Sequence, residues 1–207
     1  MEINDIGIND TLQNRPKDIA NILSYKRIIL ISLLILGVIV GSLLSVHLEL
    51  FGDIWYSPKI FSGLPIPENG LLNCLASYLS NTFLSLTIVL MLGVTVFGMA
   101  AIPAYVVFKG ILIAVRVISL FQSEEISAVV RHSVTYAPFL ALTSFILVLF
   151  ASEAMGLSFR LMKERQRSEL QNTDMKNLIK NYFISLFFTV LASLLCLTLV
   201  LLYTLVN

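Results

Sequence analysis

Charged side chains divide this chain into alternating blocks. Four stretches hold no Asp, Glu, Lys or Arg: 28–48, 69–108, 132–152 and 181–207, together 109 of its 207 residues. The remaining 98 residues carry all 14 Lys+Arg and 13 Asp+Glu. A water-soluble globule would spread charge along every element, so this pattern predicts a polytopic membrane protein. In hydrocarbon every backbone polar group must be satisfied within its own element, so the expected class is all-α, a transmembrane helical bundle.

About five transmembrane helices are expected. The first apolar run gives a span at 28–46 and the last gives one at 183–206. The run ending before Glu153 gives a third at 137–159, with Glu153 in its second half. The 40-residue run 69–108 exceeds the ~20 residues that one crossing needs. It is divided into an amphipathic approach, Gly70–Asn81, and a span at 82–102 that breaks at Pro103. The segment 104–121 is apolar apart from Lys109 and Arg116, and the positive-inside rule decides that it crosses. Arg15, Lys17, Lys26 and Arg27 precede the first span, and six cations from Arg160 to Lys180 occupy the segment 160–182. Both regions belong in the cytoplasm only if 104–121 is a span. The expected organisation is a cytoplasmic N-terminal segment, 1–27, and a single transmembrane domain, 28–207, with a cytoplasmic loop at 160–182. The N-terminus then lies inside and the C-terminus outside, in a multi-pass cell-membrane protein whose first span is an uncleaved signal anchor.

Net charge is only +1. That argues against nucleic acid as a partner, which would call for a basic excess, and 57% hydrophobic residues argue against disorder. Cys74 and Cys196 fall in no metal or redox spacing, and no cofactor is expected. Walker, H-E-x-x-H and G-x-S-x-G sequences are missing, and His132 beside Ser133 is not a triad, so the chain reads as a non-enzyme. Trp55, Tyr56 and three prolines in the segment 47–68 read as an outer loop at the headgroup belt.

The chemistry worth testing lies in three ionisable residues within spans: Lys109, Arg116 and Glu153. Such groups are costly in lipid and usually face protein or water. Lys109 and Arg116 are seven apart and share a helix face. With the break at Pro103, Lys109 lies ~8 Å from the inner end of its span and Glu153 ~10 Å from the inner end of its own. A Lys109–Glu153 bridge is then allowed, as are snorkelling of Lys109 to the interface and a substrate or proton pathway. Gly37 and Gly41 form a G-x-x-x-G, an association face for another helix or a second copy of the chain. The polar segment K-E-R-Q-R-S-E-L (163–170) offers a place where a cytoplasmic partner could dock.

The stretch N-T-F-L-S-L-T-I-V-L-M-L-G-V-T-V-F-G (Asn81–Gly98), followed by I-P-A-Y-V-V-F-K-G (Ile102–Gly110), resembles the stage II sporulation protein M family. That family shows an Asn-led second span, a glycine-rich turn region and a later Asn-Gly. H-S-V-T-Y-A-P (His132–Pro138) and S-E-A-M-G-L (Ser152–Leu157, with Gly156) resemble its H-G-x-x-E-x-P segment and the small-residue helix after it. Ser133 stands where Gly is usual, Tyr136 where Glu is usual, and Lys109 where Asn precedes Gly110. The resemblance covers roughly residues 25–205 and implies a non-enzymatic membrane scaffold. Its partners in the namesake system are peptidoglycan hydrolases during engulfment. In related gene clusters for circular bacteriocins the neighbours are ABC transporter subunits, which implies a permease-like subunit as the other reading.

Overall fold

The computed structural model describes residues 15–47, 71–123, 126–163 and 168–206. They form five helices: α1 (Arg15–His47), α2 (Leu71–Gly93), α3 (Gly98–Ser123), α4 (Ile126–Lys163) and α5 (Ser168–Val206). The fold is all-α, as the apolar runs predict, with no strand among the described residues. Four helices are long and apolar enough to cross a membrane, with windows at Tyr25–Ser45, Gly98–Val115, Ala137–Lys163 and Asp174–Leu199. In α2 the apolar stretch Leu79–Gly93 is shorter, although the whole 23-residue helix carries no charge. The expected outer loop with Trp55 and Tyr56 lies outside the described residues.

Two expectations about boundaries need correction. First, Pro103 does not break the chain. The break lies at Val94–Phe97, and Gly70–Asn81 is no separate approach, because α2 runs unbroken from Leu71 to Gly93. Main-chain bonds close the turn, from Thr95 N to Leu92 O (3.0 Å) and from Gly98 N to Thr95 O (3.2 Å). Glycine is required at 98 because a Cβ there would overlap the Leu92 carbonyl. Pro103 sits in the second turn of α3, where it forgoes only the bond its N–H would make to Met99.

Second, the expected loop 160–182 is helical wherever it is described, and so are other described polar stretches. Helix α1 already begins at Arg15, α3 runs to Ser123, α4 begins at Ile126 and ends at Lys163, and α5 begins at Ser168. Residues such as Lys, Glu, Gln and Arg are good helix formers. Hydropathy marks where a helix leaves hydrocarbon and is blind to where it ends.

Helix α1 packs chiefly on α3, and α4 on α5, while α2 lies mainly against α4 and α5. The α1–α3 seam is built from small residues. A Cβ on Gly37 would strike the Val107 carbonyl, one on Gly41 would lie 2.7 Å from Ile111 Cα, and one on Gly110 would lie 3.1 Å from the Gly37 carbonyl carbon. The G-x-x-x-G of α1 is therefore occupied within the chain, by Gly110 and Ala114 of α3. The buried centre joins all five helices through Leu30, Leu86, Val106, Phe150 and Tyr182. Outward-facing Ile28, Ile35, Ile39 and Leu43 on α1, and Phe183, Phe187 and Leu191 on α5, are exposed, as lipid-facing residues should be.

One end of the bundle gathers Lys26 of α1, the 94–97 turn and the last turns of α4. Lys26 Nζ stands 5.6 Å from the Phe159 ring centre, and Ser158 Oγ donates to the Thr95 carbonyl at 2.7 Å. Next to them, Arg160 makes two 2.8 Å bonds to the Asp174 carboxylate.

Candidate functional site

Moving the break from Pro103 to the 94–97 turn shifts Lys109 deeper. It lies eleven residues beyond Gly98, ~16 Å along α3 from the turn. A lysine side chain of about 6 Å cannot snorkel from there to the near end. Glu153 lies only five residues from Ser158, ~8 Å from the same level. The two residues are at different depths and do not pair.

Each meets an asparagine instead. Lys109 Nζ donates to Asn81 Oδ1 across α2 and α3 at 3.1 Å. Asn181 Nδ2 donates to Glu153 Oε2 across α4 and α5 at 2.6 Å. Antiparallel geometry explains both contacts. Asn81 and Lys109 stand fourteen residues either side of Thr95, the middle of one turn. Glu153 and Asn181 stand fourteen either side of Arg167, and Arg160 and Asp174 stand seven either side of it.

Lys109 borders a cavity of about 30 Å³ between α2, α3 and α4. Asn81, Thr82 and Ser85 line it from α2, Thr143 and Ser144 from α4, and apolar Leu112 and Leu147 close its sides. The Ser85 hydroxyl donates to the Asn81 carbonyl at 2.9 Å, and that of Thr143 to the Phe139 carbonyl at 2.9 Å. Among the described residues, Lys109 is the one charged residue on this lining.

The other residues singled out from the sequence are dispersed. Gly98 sits at the α2–α3 turn with Ser158 against it, and Gly110 is in the α1–α3 seam. Pro138 lies inside α4, and Gly156 faces Lys26 Nζ with room for a Cβ at 3.9 Å. Arg116 lies on α3 and His132 on α4, with their side chains outside the described residues. From the family-like stretch Asn81–Gly98, Asn81, Thr82 and Ser85 join Lys109 at the cavity. Asn181 and Ser158 are hydrogen-bond partners, and Ser144 a cavity residue, that the motif reading does not single out. Counting equal distances either side of position 167 would have found Asn181.

No family model, curated protein or solved structure matches this chain. Its helices are those of a membrane protein, four of them meeting the length and hydropathy needed to cross.

Proposed function

We propose that the chain is a non-enzymatic, multi-pass scaffold of the cell membrane that assembles other membrane proteins. The carrying observation is that the two described ionisable groups deep in the bundle, Lys109 and Glu153, each tie one helix to the next. They act as cross-links that fix a shape rather than as a paired acid and base. The proposed topology has α2 as the fifth crossing, since its 23 uncharged residues extend ~34 Å. The end that gathers Lys26 and Arg160 is then cytoplasmic, with the C-terminus outside. Likeness to the stage II sporulation protein M family supports the same reading, with cell-wall hydrolases as the partners.

The second reading is a permease-like subunit of an export, maturation or immunity system. The cavity at Lys109 favours it, because a buried cation among hydroxyls is what a path for solute would contain. Co-purification of the tagged full-length chain in mild detergent separates the two. Stoichiometric wall hydrolases support the scaffold, a co-purifying ATPase supports the permease subunit, and recovery of neither removes both.

A further inference from the structure

The Lys109 cavity is rich in hydrogen-bond donors and poor in negative charge. The lysine ammonium has three N–H donors and can accept nothing. One of them goes to Asn81 Oδ1, which fixes the orientation of the Asn81 amide. Its nitrogen therefore has two further N–H groups to offer. Ser85 and Thr143 spend their hydroxyl protons on helix carbonyls, whereas the Ser144 hydroxyl makes no hydrogen bond among the described residues. No Asp or Glu among the described residues lines the cavity, and the Glu153 carboxylate is engaged by Asn181 on the far seam.

A buried cation needs a counter-charge, since a neutral amide leaves most of the desolvation cost unmet. We propose that the cavity binds a small monovalent anion of the halide class, held by Lys109 Nζ, the Asn81 amide and the Ser144 hydroxyl. Charge selects this class. One ammonium with neutral N–H and O–H donors balances a single negative charge, and the space of about 30 Å³ admits a particle of at least water dimensions. The inference goes beyond the scaffold reading and is independent of which partners the chain assembles.

The full-length protein, purified in mild detergent with sodium gluconate, provides the test. Binding of radiolabelled chloride is measured directly, and thermal unfolding is followed as chloride replaces gluconate at constant ionic strength. Saturable binding near one ion per chain is expected. Chloride at ten times its dissociation constant should raise the unfolding midpoint by roughly 3–5 °C. Lys109→Met should abolish both effects. Ser144→Ala, a milder change that keeps the charge, should weaken binding about fivefold, the loss expected for one hydrogen bond. Absence of saturable binding to the native protein overturns the proposal. So does binding that neither substitution alters, which would place the ion elsewhere.

Discussion

The bundle has two kinds of seam. Between α1 and α3 the backbones touch, and three glycines allow it: Gly37, Gly41 and Gly110. Between α4 and α5 the helices are held by side chains reaching across, Glu153 to Asn181 and Arg160 to Asp174. Tyr182 adds an aromatic contact to Phe150 at 5.9 Å, and its hydroxyl meets Thr87 of α2 at 2.9 Å. Lipid offers no hydrophobic drive to bring helices together, so each seam must supply its own attraction. The first does so by close packing, which is sensitive to volume. The second does so by hydrogen bonds and charge, which are sensitive to chemistry. A substitution that is harmless in one seam should therefore be harmful in the other.

The largest expected effect is Gly37→Leu. Its Cβ would meet the Val107 carbonyl, and overpacking against backbone costs about 3 kcal/mol. Monodisperse protein recovered by gel filtration should fall sharply. Gly156→Ala is the matched control, since its Cβ meets only the tip of Lys26 at 3.9 Å. Equal losses in the two variants would mean that glycine content, rather than close approach, governs the fold.

An intermediate effect is expected in the second seam. Glu153→Ala strands the Asn181 amide and should cost ~1 kcal/mol, the usual scale for a polar contact between membrane helices. Glu153→Gln should retain most of that. A double-mutant cycle with Asn181→Ala in reversible detergent unfolding should give a coupling of similar size, and additive single effects would show that the bond does not hold the seam.

The smallest effect is Asp174→Asn. Arg160 is 58% and Asp174 22% exposed on their side chains, so solvent screens the pair and about 0.5 kcal/mol or less is expected. That difference should shrink further in high salt. A larger, salt-independent loss would place this end of the seam in a drier setting than its exposure implies.

Much of this architecture is legible in the charge-free runs, because a helix in hydrocarbon cannot carry unpaired charge without penalty. They place apolar sequence in every one of the five helices. They mislead at 69–108, where the apolar run passes through the 94–97 turn without a polar residue stronger than Thr95. Pro103 is then the conspicuous punctuation, although Gly98 is the residue whose missing Cβ the turn needs. That displacement of a few residues carries Lys109 to the wrong depth and creates an illusory partner in Glu153. The correct partners are polar but uncharged. Asn81 and Asn181 vanish from a count of Asp, Glu, Lys and Arg, yet they are the groups that the buried charges reach.

Helix α2 is second in the chain but has its main contacts with α4 and α5. During synthesis it therefore enters the bilayer before the surfaces that receive Leu86, Val89 and the Thr87 hydroxyl exist. Helices α1 and α3 can close their glycine seam early, once Ser123 has emerged. In that order an α1–α3 pair closed early would have α2 beside it, bonded through Asn81 and Lys109, before the last helix is made. A chain truncated before α5 would leave the Thr87 hydroxyl with its own helix carbonyl, Phe83 O, and without the Tyr182 hydroxyl that ties α2 to the last helix.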